Sequence, residues 1–332
     1  MSSAGRNEDD RGFRPPVVFL FGPTATGKSA LLLDHFGRPS GAGGDESRPA
    51  VEVISADSMQ VYRHMDIGTA KPSLPEREAL PHHLIDLKEP NEGYHVGEFV
   101  ERAERLVWEI TERRALPVIA GGTAFYFRMF LFGLPGTPEA TAETRALLQK
   151  RLDREGLEAL RRELEERDPE SAARIAPRDS YRVLRALEVL YETGTPRSAF
   201  AVPETPRRDM DILSLGLYRE REELYRRIDA RVDKMMSRGL PAEVRRLVDM
   251  GHAPPDPGMR AIGYREFFHE AALRDIDSEL PAITELIRRD SRRYAKRQLT
   301  FFRKLPRVEW FHAGMPESVA ERIRAFAGEY RS

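Results

Sequence analysis

An apolar run that leads directly into a glycine-rich loop constrains the fold of this chain more than any other feature. Val17 to Phe21 is typical of a buried parallel strand, and residues 22–29 read GPTATGKS, which fits G-x-x-x-x-G-K-[ST], the P-loop pattern. In such a loop backbone N–H groups converge on a phosphate, Lys28 adds positive charge, Ser29 can ligate Mg²⁺, and the following helix offers its positive end. The pattern predicts a phosphorylated small-molecule substrate. The alternative is a glycine-rich turn with a solvated lysine.

Further strand-like runs alternate with helical periodicity along the chain. Apolar runs at 51–55, 117–120 and 211–218 are separated by amphipathic segments such as 97–114 and 221–238. This alternation predicts an α/β fold with a P-loop-type parallel sheet flanked by helices. Between Pro138 and Thr195 the chain holds 11 basic and 13 acidic residues and no strand pattern. We interpret this stretch as an all-helical insertion domain.

These patterns divide the chain into predicted segments. Residues 1–14 form a disordered tail, 15–136 and 200–315 the P-loop α/β catalytic core, 137–199 the helical insertion, and 316–332 a C-terminal helix or tail. Residues 37–49, which are rich in Gly, Ser and Pro, are expected to form a surface loop.

Composition excludes several classes of protein. The chain has no cysteine, which excludes disulfides and thiolate metal sites. No apolar run reaches the ~18 residues of a membrane helix, and the first residues lack the apolar segment of a signal peptide. We therefore expect a cytoplasmic protein that does not associate with membranes. We also expect a monomer. The net charge of −1 excludes bulk attraction for nucleic acid, so RNA binding requires local clusters of basic residues.

Asp57 directly follows the second strand-like run, at the sheet edge where ligands bind in open α/β folds. Its carboxylate has two functional interpretations. It is either a Mg²⁺ ligand or the general base for a nucleophile that attacks the phosphorylated substrate. A third interpretation is structural, because Asp and Ser are favoured helix caps. Spacing alone leaves these alternatives open.

Three further segments carry possible chemistry. The first, Gly121-Gly122-Thr123, brings a hydroxyl after the third strand-like run, although an ordinary turn is the simpler interpretation. Secondly, Arg288 to Lys304 contains eight basic residues and one acid, Asp290, which favours RNA or another polyanion over a solvated helix face. Arg260 to Arg265 combines two arginines, a glycine and a tyrosine, which suits phosphate contact or base stacking as well as ordinary surface.

Taken together, the motifs resemble one family. The strings that carry the resemblance occur in this order: GPTATGKS, ISADSMQVYRHMDIGTAKP, HHLIDLKEP, AGGTAFYFR, RALEV, MRAIGYRE and AKRQLTFFR. The set is similar to the tRNA dimethylallyltransferases, also called tRNA isopentenyltransferases, from about Val17 to Trp310. The resemblance implies transfer of a dimethylallyl group from dimethylallyl diphosphate to the exocyclic N6 amine of the adenosine 3′ to the anticodon, with release of diphosphate. It also implies Mg²⁺ and an insertion that grips the anticodon stem-loop of tRNA.

The resemblance assigns roles to individual residues. Asp57 is expected to accept the amine proton, with Lys28 and Thr123 as further catalytic residues and Ser29 beside Mg²⁺. The expected diphosphate-binding residues are Gly22, Pro23, Thr24, Ala25, Thr26, Gly27, Lys28, Ser29 and Arg231. The expected tRNA-binding residues are Asp57, Ser58, Met59, Gln60, Tyr181, Arg182, Val183, Leu184, Arg185, Arg260, Ala261, Ile262, Gly263, Tyr264 and Arg265.

Two features depart from the family pattern. His64 stands where a glycine is expected, and a turn with positive φ would tolerate histidine poorly. The segment 37–49 is longer than expected. Two other enzymatic functions remain open: prenyl transfer to free adenine nucleotides, which would not need the helical insertion, and ATP-dependent phosphorylation of a small molecule. A non-enzymatic RNA-binding scaffold with a relic P-loop is a further alternative.

Overall fold

The structure, a computed structural model, describes residues 12–38, 50–201, 203–269 and 276–330. Most of the predicted tail and of the 37–49 loop lies outside these residues. The strands are β1 (Pro16–Phe21), β2 (Val51–Ala56), β3 (His82–His83), β4 (Leu116–Gly121), β5 (Asp211–Tyr218) and β6 (Val308–His312). The helices are α1 (Lys28–Phe36), α2 (Leu74–Ala79), α3 (Val96–Glu112), α4 (Ala124–Phe132), α5 (Ala142–Arg167), α6 (Pro169–Arg174), α7 (Ser180–Thr193), α8 (Arg221–Ser237), α9 (Leu240–Asp249), α10 (Ile276–Phe302) and α11 (Pro316–Gly328).

The strands form one parallel sheet in the order β3-β2-β4-β1-β5-β6. All six residues of β1 are buried, because helices cover both faces of its central position. The predicted α/β parallel sheet is confirmed.

The register of the sheet brings four strand ends together. Phe21 of β1 pairs with Gly121 of β4 and with Gly216 of β5, while Ala56 of β2 also pairs with Gly121. The P-loop, Asp57, Thr123 and the residues that follow β5 therefore meet along one carboxyl edge. This is the edge where open α/β sheets bind ligands.

The chain divides into two compact units, residues 1–129 with 208–332, and residues 130–207. The second unit, as far as it is described, is helical, and the predicted 137–199 segment lies inside it. Its core includes Leu160, Leu164, Val183 and Leu187 from α5 and α7. Gly156 interrupts α5 with a φ of 78°, which a glycine adopts without a steric penalty.

Residue 64 has the positive φ that a glycine at this position in the family pattern implied. His64 adopts a φ of 65° in the turn after β2. This left-handed conformation is costly for a residue with a Cβ atom. Within the described part of the chain, every helix is too short or too polar to span a bilayer.

Candidate active site at the carboxyl edge of the sheet

The P-loop connects β1 to α1 through backbone that glycine makes possible. Gly27 adopts a φ of 105° at the start of α1, a conformation that favours glycine. At the other end, a Cβ on Gly22 would lie 2.5 Å from the carbonyl oxygen of Leu217. The hydroxyl of Thr26 is buried and donates to the Pro23 carbonyl at 2.9 Å, so it braces the loop internally.

Lys28 folds back over its own loop. Its Nζ donates to the carbonyl oxygens of Gly22 at 2.8 Å and Pro23 at 3.0 Å. Burial and, to a smaller extent, the positive charge of Arg231 lower the pKa of Lys28 to about 7, although the Asp57 carboxylate opposes both effects. Because the protonated ammonium is poorly solvated here, it is suited to pair with an incoming anion.

Arginines from the end of β5 and from α8 surround the loop. Arg219 Nε donates to the Thr26 carbonyl at 3.1 Å, and Arg227 Nε donates to the Ala25 carbonyl at 2.9 Å. Arg227, Arg231 and Lys234 follow one another at spacings of four and three, so they share one face of α8. Of these four cations, only Arg231 was predicted from the sequence.

The three cations of α8 border a cavity of about 510 Å³. Lys28, Ser29, Asp57, Arg227 and Arg231 are among the residues that line it. With several cations and a helix N-terminus on one side, the cavity suits a small polyanion such as a diphosphate. We call it the phosphate cavity.

Asp57 lies just after β2 and also stabilises its own turn. Its Oδ1 accepts hydrogen bonds from the backbone N–H groups of Met59 at 2.9 Å and Gln60 at 3.4 Å. The Thr123 hydroxyl accepts from the Ser58 N–H at 3.0 Å, which ties this turn to the end of β4. No helix begins here, so Asp57 is not the helix cap that the sequence allowed; it caps a turn, and these bonds use only one carboxylate oxygen.

Two residues of α10, one turn apart, complete the wall. Gln298 Oε1 accepts from the Thr24 N–H at 3.0 Å, and its Nε2 donates to the Gly122 carbonyl at 2.8 Å, so it joins the P-loop to the turn after β4. Tyr294 borders the phosphate cavity beside it. Burial and the Asp57 charge raise the pKa of Tyr294 to about 12. Neither residue was predicted as part of the site.

A second cavity of about 300 Å³ adjoins the first. It is bordered by Ser58, Met59 and every residue of the 260–265 turn except Tyr264, among others. Four residues border both cavities: Thr24, Asp57, Arg231 and Tyr294. We call the second cavity the acceptor cavity and these four residues the junction. The Asp57 carboxylate therefore stands between a cationic cavity and a second cavity large enough for a further group.

The 260–265 turn is held in place by a buried hydrogen bond. Tyr264 is fully buried, and its hydroxyl donates to Glu243 Oε1 at 2.7 Å. Its side chain is therefore turned away from solvent, and the tRNA contact predicted for this segment stays a prediction. Ala261 is also buried, while Arg260 is exposed and Arg265 is paired with Asp290 and Glu266.

The 181–185 segment lies on α7 in the second unit. Tyr181 is 76% exposed and Arg182 is exposed beside Asp179. Val183 is fully buried in the core of that unit, and the RNA contact predicted for this segment stays a prediction. Leu184 is partly buried against the same core, and Arg185 is paired with Glu188.

The basic segment of α10 is less positive in space than in sequence. Arg292 is paired with Asp229 of α8 at 2.9 Å and with Glu285 at 2.7 Å, and Arg288 is paired with Asp233. These carboxylates lie outside the segment from which the charge was counted. Lys296 remains exposed.

Among the described residues, no three His, Asp or Glu side chains cluster as a metal site. The exposed Ser29 hydroxyl and the Asp57 carboxylate border the same cavity. Such a sparse set of oxygen ligands suits Mg²⁺, which keeps several waters and takes further ligands from phosphate.

The fold and the site together define a P-loop α/β protein with a cationic cavity and a carboxylate beside it. The family model described as IPP transferase matches residues 60–305. Curated relatives named tRNA dimethylallyltransferase include those of Thermomicrobium roseum, 43% identical over 93% of this chain and 91% of the relative, and Geobacter metallireducens, 40% identical over 93% and 97%.

Solved structures give the same result. The tRNA isopentenylpyrophosphate transferase of Bacillus halodurans is 36% identical with a TM-score of 0.65, covering 95% of this chain and 98% of that one. A eukaryotic dimethylallyltransferase described as acting on tRNA is 27% identical with a TM-score of 0.77, covering 95% and 79%. This chain belongs to the IPP transferase family of prenyl-transferring enzymes, and the curated relatives named above are tRNA dimethylallyltransferases.

Proposed function

We propose that this protein transfers the dimethylallyl group of dimethylallyl diphosphate to the N6 amine of the adenosine 3′ to the anticodon of tRNA and releases diphosphate. The observation that carries the proposal is the position of Asp57 at the junction of the phosphate and acceptor cavities. A base at this point can reach a nucleophile in one cavity while the leaving group occupies the other.

The leaving group occupies the phosphate cavity in this proposal. Backbone N–H groups of Gly27, Lys28 and Ser29 and the side chains of Lys28, Arg227 and Arg231 would hold the diphosphate. An allylic diphosphate ionises readily, so stabilising the negative charge on the departing oxygen is the main electrostatic task. Ser29 would hold Mg²⁺, which would supply additional charge neutralisation there.

The acceptor amine enters from the other cavity. The lone pair of the amine nitrogen forms the new N–C bond to the allylic carbon. The C–O bond to the leaving group breaks, and the electron pair of that bond leaves with diphosphate. Asp57 takes the N6 proton through the carboxylate, which Met59 and Gln60 hold in place by backbone hydrogen bonds. Holding both reactants at one junction removes much of the entropic cost of bringing them together.

The tRNA contacts follow from what is exposed. An adenosine in the anticodon loop must leave its stack to reach the junction. We propose that Ser58 to Gln60 and Arg260 receive this base, and that Tyr181 and Arg182 of the helical unit contact the anticodon stem-loop. We also propose that the protein is a cytoplasmic monomer.

The test is mass analysis of anticodon-region nucleosides after incubation with Mg²⁺, dimethylallyl diphosphate and unmodified tRNA. The expected product is a single prenylated adenosine in tRNA. Prenylation of AMP at least as fast as that of tRNA would instead establish a nucleotide prenyltransferase, and ATP-dependent phosphoryl transfer without binding of the allylic donor would establish a kinase. Lys28→Ala is the matched negative control, because it removes the loop's own cation.

A further inference from the structure

Three of the four junction residues have a role in the proposed reaction, and the fourth has none. Thr24 belongs to the diphosphate-binding loop, Arg231 supplies positive charge, and Asp57 takes the proton. Tyr294 borders both cavities with them and is the only aromatic residue of the four. The following inference rests on the proposed function and adds a residue to it.

The junction presents an electrostatic problem. As the C–O bond breaks, positive charge develops on the allylic carbons, while Lys28 and Arg231 beside them stabilise the departing diphosphate. Those cations repel an allylic cation. A carboxylate next to the cation could trap it, since it is a nucleophile. An aromatic ring attracts a cation through its quadrupole and offers no lone pair that forms a stable bond.

We infer that the ring of Tyr294 lies against the transferred dimethylallyl group and stabilises the positive charge that develops on it. Tyr294 is held on α10 one turn before Gln298, whose side chain bridges the P-loop and the turn after β4. The ring is therefore anchored to the same framework that holds the diphosphate. It already lies near one cation, since Cζ of Arg297 is 5.8 Å from its centroid.

The phenol group itself is not required by this role. Its pKa is raised to about 12 by burial and by the Asp57 charge, so it remains neutral at physiological pH and supplies no phenolate that could capture the cation. The ring face is therefore the functional part. Charge stabilisation by the ring can therefore be distinguished from acid–base chemistry by the hydroxyl. Removing the hydroxyl should change the prenylation rate little, whereas reducing the negative potential of the ring face should lower the rate strongly.

The experiment replaces Tyr294 by phenylalanine and by its mono-, di- and trifluoro derivatives, which keep the shape of the ring and progressively remove its negative face. Single-turnover prenylation of an unmodified anticodon stem-loop is measured with saturating dimethylallyl diphosphate. We expect Tyr294→Phe to stay within about threefold of the original rate. The rate should then fall stepwise by about tenfold across the fluorinated series, which corresponds to ~1.4 kcal/mol.

Controls separate this role from packing. The dissociation constant of the donor should stay within about twofold throughout the series. Tyr294→Leu, which keeps an apolar side chain, should be at least as slow as the trifluoro variant. Tyr330→Leu removes an aromatic ring that packs on Phe326 and borders neither cavity, and should leave the rate unchanged.

The outcomes distinguish the two proposals. If the unsubstituted protein prenylates no RNA, the proposed function fails. If it does so and the fluorinated series is flat, or Tyr294→Leu equals Tyr294→Phe, the ring is only an apolar wall and the inference is overturned. A steep dependence on fluorination with unchanged donor binding supports it.

Discussion

The carboxylate of Glu243 on α9 joins two segments that border the acceptor cavity. It is 2% exposed and accepts hydrogen bonds from the backbone N–H groups of Asp66 at 3.0 Å, Ile67 at 2.9 Å and Gly68 at 3.2 Å. The Tyr264 hydroxyl donates to it at 2.7 Å. One side chain therefore satisfies three backbone donors of the turn after β2 and the buried phenol of the 260–265 turn.

Glu243→Ala leaves these four donors without an acceptor. The Tyr264 hydroxyl is fully buried, whereas Asp66 is exposed and Ile67 and Gly68 are partly exposed. A buried group that loses its partner costs about 1 to 3 kcal/mol and a solvated one costs less, so we expect the free energy of unfolding to fall by about 3 kcal/mol. Tyr264→Phe removes only one of the four bonds and should cost ~1 kcal/mol. In the double variant the Tyr264→Phe cost should disappear, since its acceptor is already gone.

The assay is urea unfolding followed by tryptophan fluorescence. Both tryptophans, Trp108 and Trp310, belong to the first unit, so the signal reports the unit that contains Glu243. A loss below about 1 kcal/mol for Glu243→Ala would refute the reasoning, as would equal costs for Glu243→Ala and Tyr264→Phe. If Glu243→Ala does not fold, Tyr264→Phe still tests the network.

Three further predictions follow from the site and the turns around it. Because the pKa of Lys28 is lowered to about 7, the free protein loses this positive charge as pH rises. Calorimetry should therefore show the dissociation constant of diphosphate rising about tenfold per pH unit above pH 7. Lys28→Arg should remove this pH dependence, and a flat pH profile in the parent protein would contradict the prediction. In fluorescence anisotropy, the logarithm of the binding constant for the anticodon stem-loop is plotted against the logarithm of salt concentration, and Lys296→Gln should make this slope shallower by ~0.7 to 0.9, since one phosphate contact is lost. Arg292→Gln should change the slope less, because Arg292 is already paired with Asp229 and Glu285. Equal effects of the two variants would show that pairing does not matter. His64→Gly should raise the free energy of unfolding by ~0.5 to 1 kcal/mol, because it relieves the backbone strain of a histidine at a φ of 65°. Gly194→Ala, at a φ of 69°, should lower the free energy of unfolding. A His64→Gly protein that is less stable than the parent would show that residue 64 is not strained.

Local patterns were sufficient for the central strands. β1, β2, β4 and β5 are short apolar runs buried on both faces, and the predicted bounds of β5, Asp211 to Tyr218, match the structure. The edge strand β6 was missed, because every residue of VEWFH is only partly buried and the run lacks a continuous apolar pattern. Helix α4 was also missed, since AFYFRMFLF is apolar on nearly all sides and shows little periodicity.

The sequence predicted the location of those site residues that directly follow a strand of the sheet. The P-loop, Asp57 and Thr123 each follow a parallel strand, so strand order places them on one edge. Gln298 and Glu243 were not predictable, because their positions depend on how α10 and α9 pack in three dimensions. The basic segment of α10 shows the same limit, since its partners Asp229 and Asp233 lie on α8, far away in the sequence.

In the proposed reaction, the Asp57 carboxylate acts as the base at the junction. Asp57→Asn is the sharpest test, because the amide oxygen can still accept from Met59 and Gln60 while the side chain can no longer take a proton. Single-turnover prenylation of the anticodon stem-loop should slow by ~10²- to 10³-fold, with the dissociation constants of RNA and donor unchanged. Weakened RNA binding with an unchanged rate at saturation would contradict the account.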